Sequence, residues 1–130
     1  MINPSYKHSE LTGKIIGCAM RVHRILGSGF QEVIYQRALA IELSENKIPF
    51  EREKEMPVYY KGEVVGSRRA DFLVENVVAV ELKALSLMEQ SNILQAKSYL
   101  EAYNVETGLL INFGRPSLEF KRLINGKYKW

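Results

Sequence analysis

The residues of this chain best suited to chemistry gather in one stretch, RADFLVENVVAVELKA at positions 69–84. It sets Asp71, Glu81 and Lys83 into an otherwise apolar run. The pattern predicts two strands joined near Glu75-Asn76, with charge in both. A carboxylate or ammonium in such a run must face water, pair, or bind something, because burying it alone is costly. Side chains alternate across a strand, so Glu81 and Lys83 share one face while Val80 and Leu82 share the other. The position of Asp71 depends on the turn. With Glu75-Asn76 alone as the loop, Val74 pairs with Val77 and Asp71 falls opposite Val80. A three-residue loop, or one bulge, brings Asp71 opposite Glu81. Directly opposed carboxylates repel, and a divalent cation held by both removes that repulsion. Two carboxylates, a backbone carbonyl and water are the hard oxygen ligands that Mg²⁺ or Mn²⁺ prefers. Lys83 could then orient a water or stabilise charge building on a phosphate. Without a metal, the same residues make a solvated strand face with a Glu–Lys pair.

A second stretch, GSGFQEVIYQRAL, spells G-x-x-E-x-x-Y with Gly29, Glu32 and Tyr35. Three residues apart on a helix, Glu32 and Tyr35 share a face. A carboxylate in a first helical turn is favoured by the helix dipole, so a well-capped helix accounts for the segment without any site. Tyr35 could stack on a nucleobase or bond to the site, and equally suits a core position with its hydroxyl satisfied.

These residues need elements to hold them. Leu11, Ile15, Ala19, Val22 and Leu26 recur at helical spacing, predicting a helix from Ser9, as N-cap, to Leu26, closed by Gly27-Ser28-Gly29. A second helix is expected over about 31–45, with Val33, Ala38, Leu39 and Leu43 inward, ending before Pro49. Strand formers follow: PFEREKEM, then PVYYKGEVVG turning at Lys61-Gly62, then the charged hairpin. A third helix is expected over about 88–103, with Ile93, Leu94 or Ala96, Leu100 and Tyr103 as its apolar stripe. TGLLINF is apolar throughout, the mark of a strand covered on both faces. The tail SLEFKRLINGKYKW could add an edge strand and a basic, aromatic end containing Lys121, Arg122, Lys127, Tyr128, Lys129 and Trp130. The order helix, helix, strand hairpins, helix, strand, strand predicts an α/β protein with a mixed central sheet flanked by helices.

Bulk properties bound the rest. At 130 residues, with 46% hydrophobic and 25% charged content, the chain reads as one domain over residues 1–130 with an ordinary soluble composition. Its one cysteine, Cys18, rules out an intramolecular disulfide and a cysteine-based metal cluster, and is expected to be a small buried hydrophobe. Neither a signal-peptide core nor a membrane-length apolar run is present, so a cytoplasmic, soluble protein is expected. A net charge of +3 is compatible with a polyanionic partner. Arg68 and Arg69 could meet phosphates or pair with Glu32 or a surface acid, and His23 suits a helix end. No P-loop, dinucleotide fingerprint or zinc-ligand spacing occurs.

Taken together and in order, GFQEVIY, RADFLVENVVAVELKA, QAKSYL and GLLINFG resemble the GxxExxY protein family of the PD-(D/E)xK nuclease superfamily, over roughly residues 10–125. The resemblance implies a restriction-endonuclease-like core and Mg²⁺-dependent phosphodiester hydrolysis. It makes Asp71 and Glu81 metal ligands, Lys83 the catalytic lysine, and Glu32 the acid that the superfamily carries on its first core helix. Gln95 on the following helix, with Tyr99 on the same face, would support the site or meet substrate, as would Tyr35 and Arg69. Ala70 stands where the superfamily's proline would be. The implied partner is nucleic acid, with DNA favoured, and a homodimer would let two sites cut a duplex. The alternative is a nucleic-acid-binding or regulatory protein that keeps the nuclease fold without efficient catalysis.

Overall fold

Ile15, Ile16, Ala19 and Val22 form the buried stripe of α1 (Ser9–Leu26). In the computed structural model, which describes residues 6–129, the helix is capped by His8 in the left-handed region rather than by Ser9, which is already helical. Gly27, at φ 76°, ends it by donating its N–H to His23 O over 2.8 Å, a conformation that suits glycine. Helix α2 (Glu32–Glu45) buries Tyr35, Gln36, Leu39 and Leu43. Val33, expected inward, is exposed, because the inward arc is centred on the 35/36–39–43 row.

Strands β1 (Phe50–Tyr60) and β2 (Glu63–Val74) form a long hairpin turning at Lys61-Gly62, and β3 (Val78–Lys83) pairs antiparallel with β2. Helix α3 (Gln90–Tyr103) crosses to β4 (Thr107–Asn112), which lies parallel to β3, and β5 (Glu119–Ile124) closes the far edge. The sheet order is β1-β2-β3-β4-β5. All six residues of β4 are buried, as a strand covered on both faces requires. On α3 the buried stripe is Ala96, Leu100 and Tyr103, while Leu94 faces out. The expected mixed sheet flanked by helices is the fold found.

One face of the sheet packs on α1 and α2 through Phe72, Val74, Val78, Val80, Leu82, Leu109 and Ile111; the other meets α3 through Ala79 and Leu110. The β1–β2 hairpin switches between these faces. Phe50 and Phe72 lie in the α1/α2 core, yet Met56 and Ala70, each an even number of residues away, pack with Tyr103 of α3. Strict alternation would put them on the same side as Phe50 and Phe72. The switch falls at Glu53 and Asp71. Glu53 has φ 52° and no partner in the ladder, which runs from Arg52↔Phe72 to Lys54↔Ala70. Such an irregularity bends and twists a strand pair and re-aims its side chains. It sets Asp71 where residues from both faces of the sheet reach it.

Candidate active site

The turn between β2 and β3 decides whether the two carboxylates meet. Glu75 and Asn76 both have positive φ, and Val77 N donates to Val74 O over 3.0 Å, which alone would make a two-residue hairpin. The strands nevertheless register as Val74↔Val78, Leu73↔Ala79 and Phe72↔Val80, leaving Val77 as an extra residue. Continued by one step, that register sets Asp71 across from Glu81, the arrangement the longer loop predicts. At this point the Asp71 side chain takes over from the ladder: Oδ2 accepts from Leu82 N at 2.7 Å.

Asp71 Oδ1 accepts from Gln36 Nε2 of α2 at 3.1 Å. Both carboxylate oxygens are therefore held by donors, one from the neighbouring strand and one from a helix. Glu81 is buried, and its Oε1 lies 3.0 Å from Arg68 Nη1. Arg68 also donates to Tyr103 Oη at 2.7 Å and to Arg69 O at 3.1 Å, and its guanidinium carbon stands 3.7 Å from the centre of the Tyr99 ring. A guanidinium clamped on a ring face and a carboxylate is strongly ordered.

Burial pushes the Glu81 carboxyl up to about 7, reinforced by the Asp71 charge and a hydrogen bond with Asp71; Arg68 works against the rise. The Glu32 carboxyl is raised too, first by desolvation and then by Asp71, with Lys83 and Arg68 pulling it down. Those influences place the Glu32 carboxyl within electrostatic reach of Asp71, Lys83 and Arg68, although Glu32 stands on an exposed position of α2. Lys83 ends β3 half-buried, on a segment that is firmly tied down. Phe113 N donates to Lys83 O at 2.9 Å, while Asn112 Oδ1 accepts from Leu85 N and Gly114 N and its Nδ2 donates to Leu85 O. A side chain at Gly114 would lie 2.3 Å from Leu85 O, so only glycine lets these segments close behind the lysine.

The structure thus sets Asp71 near Glu81, with Tyr99 joined through Arg68, and leaves Glu32 and Lys83 within electrostatic reach only. It does not bring Tyr35, Arg69 or Gln95 to them. Tyr35 is fully buried; its hydroxyl donates to Gly27 O at 2.6 Å and accepts from Phe30 N at 3.1 Å, and its ring stacks on Phe113. A ring with no exposed face cannot stack on a base, and its work is to fasten the turn that leads into α2. Arg69 points to the β1 acids, 3.8 Å from Glu53 and 4.0 Å from Glu55, because alternation sends it away from Arg68. Gln95 lies on an exposed position of α3. His23 bonds to Arg115 O from the last turn of α1, and Trp130 lies outside the described residues. Sequence reasoning missed Gln36 and Tyr103 and left Arg68 unresolved. Gln36 was findable as the residue one helical turn beyond Glu32.

A divalent cation suits the donor set at Asp71 and Glu81. The Asp71 charge bears on the Glu81 carboxyl, and a hard cation held by both would relieve their repulsion. Among the described residues, no group of three or more His, Cys, Asp or Glu side chains is arranged as a metal cluster. Remaining ligands would therefore be backbone oxygen and water.

A mixed five-stranded sheet with opposed carboxylates on a hairpin and a lysine two residues along defines a restriction-endonuclease-like class of fold. The family model of the PD-(D/E)XK nuclease superfamily matches residues 9–123, and the chain belongs to that superfamily. Its structure is similar to the crystal structure of SSO0001, at 20% identity and a TM-score of 0.53, covering 90% of this chain and 59% of that one. This chain therefore spans about three-fifths of that protein, and the likeness shows the fold. No curated protein sequence matches. No helix among the described residues is long and apolar enough to cross a membrane.

Proposed function

We propose that the protein is a metal-dependent nuclease of the GxxExxY kind, acting as a single domain in the cytoplasm on nucleic acid, with DNA favoured and Mg²⁺ or Mn²⁺ as cofactor. The observation that carries this reading is the β2–β3 register, which continued by one step sets Asp71 across from Glu81, with Lys83 on the face of Glu81. Asp71 and Glu81 would hold the ion, with Glu32 at the rim. Bound there, a divalent cation supplies an acidified water and charge neutralisation at the phosphate. The chain's own groups do the rest. Lys83 presents a cation, backed by the Asn112–Leu85 bonds, to an oxygen gaining negative charge. Leu82 N and Gln36 fix the rotamer of Asp71. Arg68 orients Glu81 and favours its ionised form, opposing part of the cost of its burial. For duplex substrates a second copy would provide the second cut. The exposed Tyr59, Tyr60, Val64 and Val65 at the β1–β2 tip offer a surface for such a contact.

A specific observation also favours the binding-protein alternative: Glu81 already has a cationic partner in Arg68, as a site without metal would need. Turnover separates the two. Labelled single- and double-stranded DNA and RNA would be incubated with Mg²⁺, Mn²⁺ or EDTA, using wild type, Asp71→Ala and Lys83→Ala. The expected result is metal-dependent cleavage by wild type, none by Asp71→Ala, and cleavage slower by about 10²–10³ by Lys83→Ala. Cleavage that survives both substitutions, or none on any substrate, would sink the nuclease reading.

A further inference from the structure

Gln36 is a neutral amide set among charged groups and almost removed from solvent, at 6% exposure. One half of the amide is used: Nε2 donates to Asp71 Oδ1. The other half, Oε1, is buried with no hydrogen-bond partner, alone in that respect among the buried side-chain atoms of the described residues. The orientation of the amide follows from chemistry, since the reverse would press an oxygen against a carboxylate oxygen. A buried acceptor left unpaired costs on the scale of a lost hydrogen bond, and an apolar residue of similar volume would avoid that cost. Leu39 and Leu43, its neighbours along the buried stripe of α2, show that the helix uses apolar residues where only packing is needed. Gln36 also sits one turn after Glu32, on the helix face that approaches Asp71.

We propose that Gln36 is a positioning residue for hydrolysis: Nε2 sets the Asp71 carboxylate, and Oε1 accepts a hydrogen bond from the attacking water beside it. A neutral acceptor suits this task. It aligns a water's proton and so turns its lone pair outward, without adding a negative charge that would repel the phosphate. The proposal rests on the nuclease reading above, and its test keeps the two apart.

The test is Gln36→Met, which is close in volume and removes both donor and acceptor. Three quantities would be read: melting temperature in EDTA, the Mn²⁺ concentration at half of the metal-induced rise in melting temperature, and kcat and KM on a labelled oligonucleotide. The expected result is a melting temperature in EDTA only slightly below wild type, because removing the unpaired acceptor offsets part of the cost of losing the hydrogen bond to Asp71. The metal midpoint rises by tenfold or more as Asp71 loses its tether. The value of kcat falls about 100-fold while KM stays within about twofold. An unchanged metal midpoint and kcat would overturn the proposal. So would a kcat per folded molecule equal to wild type beside a lowered melting temperature in EDTA, which would mark Gln36 as a structural polar residue. Wild type that shows neither a metal-induced rise nor cleavage would sink the nuclease reading as well. Wild type that shows both, beside an unaffected Gln36→Met, would sink this inference alone.

Discussion

Arg68 and Glu81 form an ion pair of 3.0 Å in which the acid is the more buried partner, with 10% of its side chain exposed against 35% for the arginine. The pair links the middle of β2 to the central strand, and Tyr99 and Tyr103 hold the guanidinium from α3. It sets a cation of the protein's own against the buried Glu81.

Removing that arginine should therefore matter most when no metal is present. Arg68→Met is expected to lower stability by about 1–3 kcal/mol at pH 8 in EDTA, the range for losing a hydrogen bond to a charged group. Saturating Mg²⁺ should recover much of the loss, because a cation again neutralises Glu81. Urea denaturation of wild type and variant, with and without metal, checks this. An equal loss in both conditions would show that Arg68 acts by packing alone.

The raised carboxyl of Glu81 sets a direction for pH dependence. In the folded protein it titrates near 7, whereas in the unfolded chain it titrates as an ordinary glutamate. Between those values the folded state binds more protons, so stability without metal falls as pH climbs from about 4.5 to 7 and then levels off. The full shift corresponds to on the order of 3 kcal/mol. Glu32, raised in the same direction, adds to the fall. Urea midpoints at pH 5 and pH 8 in EDTA should show the decline, and Glu81→Gln should remove most of it. Stability that is flat or rising over this range in wild type would refute the assignment.

Tyr35 has the opposite character, a motif residue whose role is in the fold. Tyr35→Phe deletes the hydroxyl that bridges Gly27 O and Phe30 N and is expected to cost about 1–3 kcal/mol. Per folded molecule, cleavage and metal response should match wild type. A drop in kcat at a temperature where the variant is fully folded would place the hydroxyl in the site after all.

Much of this protein was legible in its sequence because the signals are local. Helical spacing gave α1 to within one residue, the cap moving from Ser9 to His8. The apolar run TGLLINF announced a strand buried on both faces, and Lys61-Gly62 announced a turn. Asp71, Glu81 and Lys83 were visible as charges in a hairpin that had no packing use for them. Alternation alone put Glu81 and Lys83 on one face. Whether Asp71 joined them was undecidable from the residues, since it turned on one extra residue, Val77, and on the switch of faces at Glu53 and Asp71. The choice of arginine had the same origin: adjacent residues on a strand point opposite ways, so the register gave Arg68 to Glu81 and Arg69 to Glu53. Gln36 could be reached from Glu32 by helical spacing, but its bond to Asp71, and that of Tyr103 to Arg68, came into view only when α2 and α3 were seated on the sheet. Periodicity and composition specify which residues an element carries and which side of it is apolar. Register, bulges and helix docking are set by packing among distant segments, and these decided which charged groups meet.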